Sequence, residues 1–155
     1  MTVIAFDGVR LAADSRGSAS DGLHYVLRKL VRLNDGSVFA ASGEAQDSQQ
    51  VIAWLNAGGI GPRPVVHEHF TALRVSLEHD AVVCERLENK LFPFRVRAPH
   101  AIGCGRDFAY SAMHFGHSAM WAVFFAARFN CACGPPVVSA SPNEHGVQID
   151  DSLPD

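Results

Sequence analysis

The apolar residues of this chain change their spacing twice, from a strand pattern to a helical period, and this order most constrains the fold. Strand-like runs come first, at Thr2–Phe6, Val9–Asp14, Leu23–Leu33 and Ser37–Ala41, with a polar loop at 15–22. Helical spacing from about Glu44 to Leu55 then predicts a first helix. The same order follows again in the second half of the chain.

Three further strands are predicted at Leu73–Leu77, Ala81–Leu87 and Phe92–Val96, with His79 and Asp80 in the first turn between them. Beyond Gly105, one helix has Ala109, Ala112, Met113 and Gly116 on one face, and another runs from Ser118 to Phe129. Because strands and helices come in separate groups, we predict an α+β fold built of packed layers. The outer face of the last helix is apolar too, so it either lies between layers or meets another subunit.

A chain of 155 residues suits one domain, which we place at residues 1–150, followed by an acidic, disordered tail at 151–155. The 13 Lys and Arg and 16 Asp and Glu give a net charge of −3 with no basic block, so nucleic acid is not an expected partner. The chain shows neither a secretory signal nor a membrane segment, and we expect a cytoplasmic protein.

Cysteine occurs at four positions, 84, 104, 131 and 133. All four are expected to be reduced, because a cytoplasmic chain with a full core does not need disulfides. The one-residue spacers in 131–133 and in His67-Glu68-His69 do not match zinc-binding patterns, so we predict no metal and no cofactor. Solvated charges are expected at Asp47, Glu85 and Glu88, and a solvent-facing pair at His114 and His117.

Thr2 has the most distinctive chemistry, because removal of the initiator Met would make it the N-terminal residue. It would then carry a hydroxyl nucleophile and an amine base together. A free α-amine has a pKa of about 7.7 to 8.0, so a sizeable fraction accepts protons at neutral pH. A plainer explanation is a small residue that merely permits removal of Met1.

Acyl transfer by such a residue needs a tuning charge and donors for the oxyanion. Lys29 and Asp14 are candidates for a charged pair beside Thr2, and Gly43, between a strand and a helix, is a candidate oxyanion donor. Taken separately, these residues fit an ordinary surface ion pair and an ordinary strand-to-helix joint.

Taken together, five segments resemble the proteasome β-subunit family: TVIAF at 2–6, LAADSR at 11–16, RKLVRL at 28–33, ASGEA at 41–45 and AIGCG at 101–105. The short bacterial or phage HslV-like peptidases look most similar. The resemblance implies an N-terminal nucleophile hydrolase with a four-layer αββα sandwich. It makes Thr2 the nucleophile, its own amine the base, Asp14 and Lys29 the charged pair, and the Gly43 N–H the oxyanion donor.

The same resemblance implies stacked homo-oligomeric rings, peptide or unfolded-protein substrates and an ATP-dependent unfoldase partner. Three supporting residues depart from the family pattern. Cys104 stands where the family commonly has Ser, and Asn130 and Cys133 replace an Asp and a Ser near the nucleophile. Two hypotheses therefore stand: a threonine-type peptidase or amide hydrolase, and a catalytically weak or inactive ring-forming scaffold with the same fold.

Overall fold

The structure of the chain is a computed structural model that describes residues 1–145 and 148–150. The predicted tail at 151–155 lies outside the described residues. The strands are β1 (Val3–Phe6), β2 (Leu11–Ala13), β3 (Arg16–Ser18), β4 (His24–Val26), β5 (Leu30–Arg32), β6 (Val38–Ser42), β7 (Thr71–Glu78), β8 (Ala81–Glu88), β9 (Phe94–Val96), β10 (His100–Gly103), β11 (Val137–Ala140) and β12 (Gln148–Asp150). The helices are α1 (Ala45–Asn56), α2 (Arg106–His114) and α3 (Ala119–Phe129).

The first sheet has the strand order β10-β1-β2-β11-β12, with antiparallel neighbours throughout. A turn at Asp7-Gly8, typical of a hairpin, joins β1 to β2, where Ile4 pairs with Ala13. On its other side β1 pairs with β10, and Val3 lies opposite Gly103. Strand pairing on both sides therefore fixes the backbone that directly follows Thr2.

The second sheet is an antiparallel meander, β5-β6-β7-β8-β9. His79 and Asp80 form the β7–β8 turn as predicted, and both have positive φ, a conformation in which His and Asp are enriched. The predicted loop at 15–22 is partly wrong, because residues 16–18 form β3 and pair with β4. A Cβ on Gly17 would lie 2.5 Å from the Tyr25 ring, so a glycine lets this ring cover the strand.

The predicted α+β organisation is confirmed, and three clusters of buried apolar side chains connect its parts. Ile4 and Phe6 point toward the second sheet, and Val3 and Ala5 pack with α2 and α3. This division follows from the two-residue period of a strand, and it requires β1 to be apolar on both faces. A third cluster lies between α1 and the second sheet, around Val51.

All three helices lie within a few residues of their predicted ranges. Ser118 caps α3 by accepting a hydrogen bond from the Trp121 N–H at 3.2 Å. Small residues of α3 face the first sheet, at Ala119, Ala122 and Ala126. Among the described residues, no helix combines the length and the apolar character needed to cross a membrane.

The expectation of a solvated Asp47 is wrong, because this residue is buried in the first turn of α1. Its Oδ2 atom accepts the His67 N–H at 2.9 Å and lies 2.7 Å from His67 Nδ1. A local sequence pattern does not reveal this contact, because 20 residues separate its partners. Asp47 therefore anchors the segment between α1 and β7.

Candidate active site

Thr2 lies immediately before β1 and is 4% exposed. Its carbonyl oxygen accepts the Gly105 N–H at 3.3 Å and the Cys104 thiol at 3.5 Å. A Cβ on Gly103 would lie 2.1 Å from the same oxygen, so only glycine permits this approach. The turn between β10 and α2 thus holds the Thr2 backbone in one position.

Lys29 joins Thr2 to Asp14. Its Nζ atom donates to Thr2 Oγ1 at 3.0 Å, to Asp14 Oδ1 at 2.8 Å and to the Met1 carbonyl at 3.0 Å. These three acceptors match the three N–H donors of an ammonium group. The interpretation of Lys29 and Asp14 as a surface ion pair is therefore wrong, since their side chains are 5% and 0% exposed.

Asp14 is a buried carboxylate with a full set of donors. Besides Lys29, its Oδ1 atom accepts the Val3 N–H at 3.0 Å. Its Oδ2 atom accepts the N–H groups of Arg16 at 3.2 Å and Gly134 at 3.1 Å. A buried charge is tolerated when it is paired and hydrogen-bonded in this way. Asp14 therefore fixes the Lys29 ammonium beside the Thr2 hydroxyl and also ties the strand ends together.

A cavity of about 490 Å³ opens over this group. Thr2, Lys29 and Gly43 all line it, although 41 residues separate Thr2 from Gly43 in the chain. Gly43 has φ +130° and precedes α1 by two residues, so it turns the chain between β6 and the helix. The structure thus brings all four predicted catalytic residues to one place, with Asp14 buried beneath the cavity.

Of the three supporting residues, Cys104 contacts Thr2 and Cys133 lies next to Cys104. The Thr2 N–H donates to Cys104 Sγ at 3.3 Å, and Cys104 Sγ lies 3.8 Å from Cys133 Sγ. Burial and the nearby Asp14 carboxylate raise the pKa of the Cys133 thiol. Cys104 therefore does more than pack, because its sulfur is a hydrogen-bonding partner of the Thr2 nitrogen.

Asn130, the third supporting residue, contacts the backbone of Cys104. Its amide nitrogen donates to the Cys104 carbonyl at 3.1 Å, and its Oδ1 atom accepts the Ala132 N–H at 3.0 Å. Both contacts support the backbone around Cys104 and the loop after α3. Asn130 thus connects to Thr2 through Cys104, and its carbonyl oxygen also accepts the Cys133 N–H at 3.0 Å.

Sequence reasoning missed the role of Arg16 next to this group. Its guanidinium donates to the Cys131 carbonyl at 2.6 Å, and a Cβ on Gly134 would lie 2.4 Å from its Nε atom. Arg16 thereby holds the loop that carries Cys133. The glycines at 103 and 134 were the available signal, because glycine often marks a close approach of backbone to other groups.

The arrangement offers a hydroxyl, a neighbouring cation and a cavity for a carbonyl substrate, which are requirements of acyl transfer. In the presence of Met1, the Thr2 nitrogen belongs to a peptide bond and does not act as a base. His114 and His117 are exposed as expected. Among residues 1–145 and 148–150, no three His, Cys, Asp or Glu side chains are grouped so as to hold a metal ion.

No model of a known protein family matches the chain. No curated protein matches its sequence. Among solved structures, a mutant of Anbu from Hyphomicrobium sp. strain MC1 has a TM-score of 0.76 and 10% identity, over 98% of this chain and 88% of that chain. Another structure of Anbu from the same strain has a TM-score of 0.72 and 11% identity, over 97% and 87% of the two chains. At these identities the similarity shows a shared fold.

Proposed function

We propose that this protein is a proteasome-like threonine peptidase, in which Thr2 becomes the nucleophile once Met1 has been removed. One observation carries the proposal: Lys29 Nζ donates to Thr2 Oγ1 at 3.0 Å while it is held by the buried Asp14 carboxylate. A structural ion pair alone does not need a threonine hydroxyl at a cavity wall. A catalytic role of the Thr2 hydroxyl would explain why the charges of Lys29 and Asp14 are buried beside it.

The fold is consistent with this chemistry. Anbu is a bacterial proteasome-like protein with an N-terminal nucleophile fold, and this chain shares its architecture. We infer that the two facing sheets, with α1 outside one and α2 and α3 outside the other, form the four-layer αββα sandwich of such hydrolases. Within this fold, the start of β1 opens into the cavity described above.

In the proposed mechanism, the free α-amine of Thr2 accepts the proton of its own hydroxyl as Oγ1 attacks a peptide carbonyl. The Lys29 ammonium stabilises the negative charge that develops on Oγ1. The Gly43 N–H donates to the oxyanion of the tetrahedral intermediate. The amine leaving group takes the proton, an ester remains on Thr2, and water cleaves this ester with the amine as base.

A second candidate function is a scaffold that kept the fold and lost efficient catalysis. The contact of Asn130 favours it, because this side chain donates to the Cys104 carbonyl and leaves a thiol beside the Thr2 nitrogen. A carboxylate at residue 130 would add a negative charge that stabilises a protonated amine. Without this charge and with a weakly polar sulfur, the amine is less firmly oriented.

The proposed substrates are peptides or unfolded proteins in the cytoplasm. On the basis of the resemblance to the proteasome β-subunit family, the chain is proposed to assemble into homo-oligomeric rings and to work with an ATP-dependent unfoldase. These are proposals about partners, and they do not affect the chemistry assigned to Thr2. The peptidase hypothesis is therefore tested on the purified chain alone.

The test is the intact mass of the protein before and after exposure to a peptide epoxyketone, which bonds to both the amine and the hydroxyl of an N-terminal threonine. We expect loss of Met1 and one adduct per chain. Thr2→Ser keeps a hydroxyl and should still be labelled, whereas Thr2→Ala should fold and stay unlabelled. A trimmed wild-type chain that stays unlabelled, or a chain that retains Met1, would favour the scaffold.

A further inference from the structure

Two thiols face each other directly beside the proposed nucleophile. Cys104 lies in the turn that leads into α2 and Cys133 in the loop after α3, and their sulfur atoms are 3.8 Å apart. A disulfide requires a separation of about 2.05 Å, so rotation of the side chains through roughly 2 Å would bring the sulfurs into bonding distance. Neither cysteine forms a disulfide in the structure.

The two thiols differ in accessibility. Cys104 is exposed and lies two residues before the first residue of α2. Cys133 is fully buried, and Asp14 and Cys104 lie near it. A soluble oxidant therefore reaches Cys104 first, and Cys133 is the thiol placed to react with the oxidised sulfur.

We propose that Cys104 and Cys133 are a peroxide-sensitive pair, in which a reversible disulfide withdraws the Cys104 sulfur from Thr2. Formation of this disulfide does not require Thr2 to be catalytic. Its effect on Thr2 does rest on the proposed function. The two parts are therefore measured separately.

The oxidation balances with one molecule of hydrogen peroxide. The Cys104 thiolate attacks the peroxide O–O bond, which breaks to leave a sulfenic acid and, with a proton, water. The Cys133 sulfur then attacks the Cys104 sulfur, the S–S bond forms, and the sulfenic oxygen leaves as a second water. Two thiols lose two protons and two electrons, and the peroxide is reduced to two waters. An added dithiol reverses the step by thiol–disulfide exchange.

The expected consequence follows from the contacts of Cys104. Its sulfur accepts the Thr2 N–H at 3.3 Å and lies 3.5 Å from the Thr2 carbonyl oxygen, to which the thiol donates. A disulfide has no S–H to donate, and the shift toward Cys133 draws the sulfur away from the Thr2 nitrogen. Removal of Met1 turns this nitrogen into the proposed base, and an amine at the same place then loses a positioning contact.

The first measurement is a peptide map of the purified protein after brief treatment with hydrogen peroxide. We expect one cross-linked species that joins Cys104 to Cys133 and is lighter by two hydrogen atoms. Cys131→Ser is the matched control, because Cys131 is an exposed thiol in the same loop, and this variant should form the same cross-link. Cys104→Ser should form none and should leave Cys133 as a thiol, which keeps the test valid if a variant at the buried residue 133 does not fold.

The second measurement is the rate of epoxyketone labelling before oxidation, after it, and after addition of dithiothreitol. We expect labelling to be at least about tenfold slower in the oxidised protein and to recover on reduction. A tenfold change is smaller than the rate enhancement of about 100-fold or more that a positioned base contributes. A cross-link without labelling in any state would support the thiol pair and argue against the proposed function. Oxidation of Cys104 to a sulfinic acid, or a cross-link to Cys131, with Cys133 still a thiol, would overturn the pair itself.

Discussion

At the scale of single residues, the main feature of the site is that every N–H donor of the Lys29 ammonium has a hydrogen-bond acceptor. Its three N–H donors meet three oxygen acceptors, from Asp14, Thr2 and Met1. The Asp14 and Thr2 acceptors remain once Met1 is removed, so the ammonium still has little freedom to turn elsewhere. The hydroxyl of Thr2 therefore has a fixed cation beside it before any substrate arrives.

Replacing Lys29 separates the electrostatic role from the structural one. Lys29→Met removes the cation and leaves Asp14 buried without a counter-charge, so we expect a loss of about 3–5 kcal/mol in the free energy of unfolding. Adding Asp14→Asn removes the unpaired charge and should recover part of the stability. Labelling of Thr2 should stay low in both variants, because neither has a cation beside Oγ1.

Urea unfolding and epoxyketone labelling measure these two effects. Arg95→Met is the control, because Arg95 and Glu78 form an exposed ion pair whose loss should change neither. Normal labelling in the double variant would show that the cation is not needed.

Gly43 gives a second test at this scale. Its φ of +130° disfavours any side chain, and an added Cβ would lie 3.5 Å from Phe70 Cα. Gly43→Ala should cost about 1–3 kcal/mol of backbone strain. Gly36→Ala is a matched control, because Gly36 has φ +86°, has open space where a Cβ would be placed, and lies in the β5–β6 turn.

If the Gly43 N–H binds the oxyanion, only Gly43→Ala should slow peptide hydrolysis beyond its effect on the folded fraction. The measurement is kcat on a fluorogenic peptide, alongside thermal unfolding of both variants. Equal kcat values for the two variants would remove Gly43 from the mechanism.

At the scale of elements, the start of α1 is tied to the segment before β7. The hydrogen bond that Asp47 accepts and the charge of Asp47, with a smaller contribution from Glu44, raise the pKa of His67 despite the opposing effect of desolvation. Burial opposes ionisation of Asp47, but the hydrogen bonds and charge of His67 outweigh it and lower the pKa of Asp47. Each residue thus favours the charged form of the other.

The attachment should weaken in a defined pH range. Because the pKa of His67 is raised on folding, its contribution is complete below the unfolded value of about 6.5 and is lost as the pH rises through the higher folded value. Asp47 acts in the opposite sense, so its contribution is lost as the pH falls through its lowered pKa. Between these limits both groups are charged.

Limited proteolysis of residues 57–69 should therefore be slower at pH 6 than at pH 8.5, after correction for the protease's own pH dependence. The variant His67→Gln should be cut at the same corrected rate at both pH values. A wild-type rate that does not change with pH would contradict this account of the anchor.

At the scale of the whole molecule, an exposed aromatic group lies on the surface of α2 and α3. Phe129 is 56% exposed and its ring centroid is 5.9 Å from that of Phe108 and 4.9 Å from that of Phe125. Exposed apolar patches of this kind often lie at interfaces. If the chain forms the proposed rings, this group is the candidate contact with a second copy.

Light scattering of the purified protein should then give a mass several times that of one chain, and Phe129→Glu should lower it. Phe115→Glu is the control, because Phe115 is 81% exposed at the end of α2 and its ring packs edge-on against His114, outside this group. A wild-type monomer would contradict the assembly, and an unchanged mass for Phe129→Glu would exclude this surface as the contact.

The sequence by itself determined the three helices and most strands up to β9, because apolar spacing and turn residues act over a few positions, but it did not predict β10, β11 and β12. The turn at His79-Asp80 could be predicted from these neighbouring residues alone. The three-residue strand β3 escaped prediction because so short a run, with a glycine at its centre, carries no period. The proposed catalytic set was predicted from a resemblance, since spacing alone left Asp14, Lys29 and Gly43 with ordinary explanations.

Only the tertiary structure decided which residues meet. It buried Asp14 and Lys29 beneath Thr2, buried Asp47 against His67, and brought Cys104 within reach of Cys133 across 29 positions of sequence. Burial and long-range contacts depend on how whole layers pack, and packing is a property of the complete set of apolar faces. For that reason the chain's candidate residues are visible in its sequence, whereas the environment that gives them their chemistry exists only in the fold.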